Sequence, residues 1–344
     1  MHVKLILLVH GTFVRLVIMS ANLVAYDWTI LENTVYIQDF ASHSHRSGKE
    51  PSPFLQEDSA SHSHRSGKEL SAFLQEDSAS NSHRSGKEPS AFLQDLKNVL
   101  HHLEVPIDII DSLDGFDFSS AKGHLVFARP GLFKGNDPEF PKLGLLGLSR
   151  AVSEIVDNDQ RLEFEYLTSS LGSLKSEWIG HFVTCASGRL PKRTTSTDDQ
   201  QDGKLKVVFP TLSYVSNSSL GPSKAGTITF QEKFWQKPVF PRQVMHQFVF
   251  RAGHRELSHS KIVSAIDSDS QRDIWVYVGS ANCTESAWGS LALREKAAAT
   301  SLRITNYELG IVFAADEMDC TRPYFRPLLR YERNDRPWSQ SNFS

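Results

Sequence analysis

Two short sets of residues in this chain have the types and spacing to handle a phosphate. His2-x-Lys4 is followed by Ser20-Ala21-Asn22-Leu23 and Trp28, and His259-x-Lys261 by Ser280-Ala281-Asn282-Cys283 and Trp288. The His-to-Asn spacing is 20 residues in the first set and 23 in the second. Imidazole can serve as a nucleophile or as a general acid near neutral pH. Lysine places positive charge where non-bridging oxygens must hold negative charge through a transition state. Asparagine donates hydrogen bonds without adding a competing anion. A lone His, or a lone His-x-Lys, is more often an ordinary strand or surface residue; the repetition argues against that explanation. No carboxylate cluster or His/Cys spacing accompanies the sets, so no metal and no cofactor is expected.

Each set reads as a β-hairpin. Lys4–His10 pairs with Phe13–Met19, and Lys261–Ile266 with Ile274–Val278. Side chains at i and i+2 share one face of a strand, so His and Lys project together. The Asn at the end of the partner strand can swing in beside them. Two such hairpins predict two halves of one site, with imidazoles facing each other across a phosphate.

The 344 residues are enough for one or two domains with a full core. A net charge of −3 announces no global nucleic-acid binder, so any such surface must be local. Three scattered cysteines, Cys185, Cys283 and Cys320, favour unpaired thiols in a reducing compartment. The apolar run Leu5–Val9 is too short to span a bilayer.

Residues 41–59 recur at 60–78 and again from Ala79, with a period of 19 residues. Each unit is rich in Ser, His, Gly and charge, with too little apolar surface for a solenoid. Residues 41–78 are therefore read as a low-complexity insertion that does not fold. Its histidines (His43, His45, His62, His64) are taken as solvated rather than as metal ligands. Beyond it, Phe92, Leu93, Leu96, Val99, Leu100 and Leu103 recur at helical spacing behind Ser90 as N-cap. Leu145–Ile155 is amphipathic and helical. Gly123–Ala128, Phe164–Leu167, Lys206–Pro210, Thr227–Phe230 and Gln247–Phe250 read as strands, and Arg189–Lys204 as a loop. Strands alternating with helices predict an α/β fold.

The paired motifs resemble the phospholipase D superfamily. Its lipid-cleaving and nuclease members carry an Asp five residues after the Lys, where this chain has Val9 and Ile266. A later Asn in place of that Asp is similar to the tyrosyl-DNA phosphodiesterase family. So are DFSSA (Asp117–Ala121), SSLGSL (Ser169–Leu174), VVFPT (Val207–Thr211), LGPSKAGTITF (Leu220–Phe230), GSANCTESAWG (Gly279–Gly289), NYELGIVF (Asn306–Phe313) and DRPW (Asp335–Trp338). NLVAYDW and ENTVYIQDF (Asn22–Trp28, Glu32–Phe40) resemble its fungal branch.

The resemblance implies two pseudo-symmetric α-β-α sandwich halves, residues 1–131 and 132–344, the first of them incomplete. It implies a DNA 3′-end repair hydrolase that cleaves 3′-phosphotyrosyl bonds left by a topoisomerase. His2 would be the nucleophile, forming a covalent phosphohistidine. His259 would protonate the leaving tyrosine and then activate water. Lys4, Lys261, Asn22 and Asn282 would clamp the phosphate, and Glu308 would orient His2. Ser170, Ser173 and Thr284 match positions that contact the DNA backbone. The implied partner is single- or double-stranded DNA with a 3′ tyrosyl or peptide adduct, handled by a monomer in the nucleus, with no membrane role.

Three departures stand out. Met1 directly precedes His2, where the family has a block of its first domain, so an N-terminal truncation is expected. Asn33 stands where the family has a Gln that orients the acid His, and is one methylene shorter. Glu285 puts a carboxylate where a basic DNA contact is expected. Two competing readings remain at this level. One is a general phospholipase D-type nuclease or lipid hydrolase. The other is a non-catalytic paralogue that at most binds DNA.

Overall fold

The computed structural model describes residues 2–46, 90–157, 160–192, 202–251, 256–293, 299–318 and 322–342. Most of the repeat falls outside the described residues, as do His62, His64 and Cys320; its described start is folded, against expectation, with Ala41 ending a strand, Ser42 bridging Phe116 and His43–Arg46 forming a short helix. The other two cysteines, Cys185 and Cys283, are buried free thiols.

Thirteen strands are formed by the described residues. They are β1 (Leu5–Val9), β2 (Phe13–Met19), β3 (Val35–Ala41), β4 (His124–Ala128), β5 (Gly131–Lys134), β6 (Leu162–Leu167), β7 (Leu205–Phe209), β8 (Met245–Gln247), β9 (Ile262–Asp267), β10 (Asp273–Gly279), β11 (Ser290–Leu293), β12 (Ala299–Ile304) and β13 (Glu308–Ala314). They build a seven-stranded sheet in the order β4-β13-β10-β9-β6-β7-β8 and two three-stranded sheets, β1-β2-β3 and β11-β12-β5. Pairing in the large sheet is antiparallel from β4 to β6 and parallel from β6 to β8. The fold is α/β, as the sequence predicts.

The chain divides into two compact units. The smaller holds Ile6–Val17 and Ile37–Ala121. Its core is aromatic: the Phe40 ring lies 4.3 Å from that of Phe118, tilted by 30°, and Phe92 joins them from the helix Ala91–His102. That helix begins where expected, with Ser90 Oγ accepting from the Leu93 N–H at 3.2 Å.

The larger unit holds Met1–Leu5, Ile18–Tyr36 and Lys122–Ser344. Along the chain it resumes at Lys122, ahead of the division at residue 131 read from the sequence. Alternate residues of its strands feed one core: Phe164 and Tyr166 of β6, Val207 and Phe209 of β7, Val263 and Ala265 of β9, Trp275 and Tyr277 of β10. The period of two is that of a pleated strand with one face on this cluster. Helices Gly144–Ser153 and Ser176–Ala186 add Leu145, Leu148, Trp178, Ile179 and Phe182 to it. Among the described residues no helix is long and apolar enough to cross a membrane.

Register places the chemistry. Because β9, β10 and β13 are antiparallel neighbours, the start of β9, the end of β10 and the start of β13 lie at one edge of the sheet. Those are the positions of His259-x-Lys261, Ser280-Ala281-Asn282 and Glu308. Gly279 faces Gly310 across β10 and β13. A Cβ on Gly310 would strike the Tyr277 ring, and one on Gly279 the backbone of Gly310. Two glycines thus let the strands close up directly beneath the site.

Two strand expectations do not hold. Thr227–Phe230 forms no strand: Thr229 makes an isolated bridge with Ser170 while Ile228 and Phe230 enter the core. Its apolar alternation reflects burial without ladder pairing. Gln247–Phe250 is displaced: β8 ends at Gln247, and Phe250 makes a single bridge with Tyr324.

Candidate active site

Both motif sets meet within the larger unit. The His2 N–H donates to the Tyr307 carbonyl at 3.0 Å, and the His259 N–H donates to the Glu32 carbonyl at 2.8 Å. Each motif is thereby tied by its backbone to a segment distant in sequence. Within each motif the lysine turns back on its own histidine. Lys4 Nζ donates to the His2 carbonyl at 2.8 Å, and Lys261 Nζ to the His259 carbonyl. The two-residue spacing makes that loop possible, since both side chains lie on one face.

The histidines are held differently. His2 is exposed, and its Nδ1 lies 3.0 Å from Oε1 of Glu308, which is 1% exposed. A carboxylate only accepts, so Nδ1 carries the proton and Nε2 of neutral His2 keeps its lone pair. Glu308 is fixed in turn by Ser280 Oγ at 2.6 Å and Asn306 Nδ2 at 3.1 Å. His259 is 7% exposed. Its Nδ1 lies 3.3 Å from Asp27 Oδ2, yet is out of line for a hydrogen bond and has no other partner. Burial first, then the charges of Lys261, Lys4 and His2, push its pKa down to about 2.

The asparagines are oriented in opposite senses. Asn282 Oδ1 accepts from the Ser170 N–H at 3.0 Å, with the Thr168 and Ser169 hydroxyls 3.1 and 3.2 Å away. Its amide nitrogen is left to donate into the site. Asn22 instead gives its backbone N–H and its Nδ2 to Asp27 Oδ2, at 2.6 and 2.8 Å. One amide hydrogen of Asn22 remains.

The ammonium groups make the site cationic. Lys261 is 1% exposed and Lys4 half-buried, and among the described residues neither touches a carboxylate. Burial lowers both pKa values; Lys4 adds to the effect on Lys261, and Glu308 and Asp27 oppose it. Desolvated cations without a paired anion make a strong site for one.

His2 and Asn282 line an open cleft of about 420 Å³, along with Ser170–Lys175, Thr284, Glu285 and Asn306. The predicted DNA contacts Ser170, Ser173 and Thr284 therefore share one wall. Ser170 Oγ accepts from Thr229, Ser173 Oγ from Lys237, and Thr284 Oγ1 caps the helix Glu285–Trp288 through the Ala287 N–H. Glu285 pairs with Lys175 at 3.2 Å, which offsets its charge on that wall. Asn33 is not on the cleft wall. Its Oδ1 accepts from Ser20 and its Nδ2 donates to the Asp27 carbonyl at 2.7 Å.

Two residues carry roles that sequence reasoning missed. Asp27 is the carboxylate beside His259. Glu32 accepts from the Ser258 and Ser260 hydroxyls on both sides of His259. Burial raises the Glu32 pKa, against those two bonds and Lys261. Both residues stand in the segments quoted for the family resemblance; the available signal was an acid set among aromatic and apolar neighbours just after Asn22.

A mixed α/β fold thus gathers two His-x-Lys sets and two asparagines in one unit, with His2 and Asn282 on the wall of an open cleft. The chain belongs to the tyrosyl-DNA phosphodiesterase family, whose family model matches residues 1–340. It is 25% identical over 331 residues to tyrosyl-DNA phosphodiesterase 1 of Arabidopsis thaliana, covering 91% of this chain and 46% of that protein. It is 25% identical over 236 residues to the "Probable tyrosyl-DNA phosphodiesterase" of Caenorhabditis elegans, covering 66% of this chain and 51% of that one. The chain thus spans about half the length of these curated relatives. A crystal structure of the yeast tyrosyl-DNA phosphodiesterase matches with a TM-score of 0.66 at 17% identity, covering 98% of this chain and 77% of that one. At that identity the likeness shows the fold.

Proposed function

We propose that the chain hydrolyses 3′-phosphotyrosyl bonds at DNA ends through a covalent phosphohistidine. The observation that carries this reading is the state of His2. It is exposed on the cleft, and its Nδ1 proton is held by a buried carboxylate, so Nε2 is free as a nucleophile.

In the first step Nε2 attacks phosphorus, the P–N bond forms and the P–O bond to the phenol breaks. His259 gives its proton to the departing oxygen. In the second step His259 takes a proton from water, which attacks phosphorus and breaks the P–N bond, leaving a 3′-phosphate. The resting His259 is neutral, so it must gain a proton as substrate arrives. An incoming phosphodiester supplies the charge: burial depresses His259 most, and the phosphate offsets the positive field of Lys261 and Lys4 that adds to it. Lys4, Lys261, Asn22 and Asn282 hold the non-bridging oxygens. The wall of Ser170, Ser173 and Thr284 receives the DNA backbone. Because one chain carries both His-x-Lys sets, a monomer suffices, and such a repair activity belongs in the nucleus.

The test is a 3′-phosphotyrosyl oligonucleotide incubated with the protein in excess EDTA. Release of tyrosine with a 3′-phosphate product is expected. Turnover that is lost on chelation and restored by Mg²⁺ would refute the histidine mechanism.

A further inference from the structure

Asn33 leaves the acid–base histidine without the amide the family places there, and the structure offers another group in its stead. Asp27 lies in the short helix Ala25–Thr29, with its side chain buried. Its Oδ2 holds Asn22 and lies 3.3 Å from His259 Nδ1. Its Oδ1 is buried without a hydrogen-bond partner, and so is His259 Nδ1. Two unfilled groups of opposite kind, one acceptor and one potential donor, thus lie side by side where water has little access. Leaving either unfilled is unfavourable, and a turn of the ring that lines Nδ1 up with the Asp27 carboxylate satisfies the histidine.

The surroundings favour that closure once His259 is protonated. Lys261 and Lys4 are the cations facing the ring, His2 faces it as well, and the Ser20 carbonyl accepts a hydrogen bond from it. Glu32 is occupied by Ser258 and Ser260. Asp27 is the charged acceptor beside Nδ1. Asn33 supports it indirectly, donating to the Asp27 backbone carbonyl at 2.7 Å. The arrangement mirrors the other histidine, whose Nδ1 meets Glu308.

We propose that Asp27 is the positioning carboxylate of His259: it accepts the Nδ1 proton when substrate binds, and so directs the Nε2 proton at the leaving oxygen. This rests on the phosphohistidine reading above. In the first step the phenol oxygen receives the Nε2 proton as the P–O bond breaks, while the Nδ1 proton stays on the imidazole, bonded to Asp27.

The experiment compares two oligonucleotides, one carrying a 3′-phosphotyrosine and one a 3′-(4-nitrophenyl) phosphate, whose far more acidic phenol leaves without a proton. Asp27→Asn should slow adduct formation from the tyrosyl substrate about 100-fold, a typical share for general acid catalysis, while KM changes little. Adduct formation from the nitrophenyl substrate should fall far less than from the tyrosyl substrate, and the adduct should then persist. Asp27→Glu should recover part of the tyrosyl activity. Equal losses on both substrates would overturn the proposal, since they would mean that Asp27 acts only through Asn22 or the fold. Unchanged tyrosyl turnover would overturn it too. An unaltered protein inert on both substrates would remove the phosphohistidine reading, and this inference with it. A measurement on the unaltered chain covers an Asp27→Asn protein that does not fold. Binding of a 3′-phosphorylated oligonucleotide should produce a downfield imidazole proton resonance that is absent from His259→Gln. Failure to see it would overturn the proposal.

Discussion

His2 and His259 belong to motifs of the same residue types, yet one is exposed with its Nδ1 bonded to a carboxylate while the other is buried with its Nδ1 beside a carboxylate it does not engage. His2 meets solvent and donates its Nδ1 proton in a hydrogen bond to Glu308. His259 sits under two ammonium groups with a carboxylate beside it that it does not engage. The difference teaches that motif identity sets what a side chain can do, while its neighbours set when it does so. A nucleophile must be ready before the substrate arrives. An acid that is neutral at rest is armed by the substrate's own charge.

The largest effect that would break this contrast is at His2. His2→Ala should reduce turnover of a 3′-phosphotyrosyl oligonucleotide by on the order of 10⁴-fold or more and form no adduct. His259→Asn should cost less, about 10²–10³-fold, and should trap the protein on DNA as a shifted band on a denaturing gel. An adduct in the His2 variant but none in the His259 variant would reverse the roles.

The lysines sharpen the contrast through stability. Lys261 is buried without a carboxylate partner, so Lys261→Met should abolish activity yet raise unfolding free energy by about 1–2 kcal/mol in urea titrations. Lys4 is half-buried, and Lys4→Met should gain less. Equal gains would show that the two motifs are equally desolvated.

The state of His259 also has a pH signature. Its folded pKa, about 2, lies below the unfolded value near 6.5. Between them the unfolded chain binds the extra proton, so stability falls as pH drops through about 6 toward 2. The contribution is about 1.4 kcal/mol per pH unit. Denaturation midpoints from pH 7 to 5 should show this slope, reduced in His259→Gln. The smallest expected effect is at the cleft wall. Glu285→Gln releases Lys175 for phosphate and should tighten DNA binding a few-fold at low salt, in keeping with about 1 kcal/mol or less for an exposed pair.

Much of this was legible before any coordinates. The four hairpin strands and the helix behind Ser90 follow from period and capping, which are local properties. The pairing of His2 with Glu308 followed from the family resemblance of NYELG. Asp27 and Glu32 were in plain view but unassigned, because their roles depend on contacts with residues 226 or more positions away, which no local pattern encodes. Thr227–Phe230 misled for the complementary reason: alternation reports burial, and here burial came without a neighbouring strand.

The separation of His2 from Glu308 has a consequence in time. The two are 306 positions apart, and synthesis runs from the first to the second. A nascent chain therefore exposes the His2 imidazole long before the carboxylate that holds its Nδ1 exists. Under the proposed mechanism, orientation of the nucleophile then waits on synthesis and folding through Glu308.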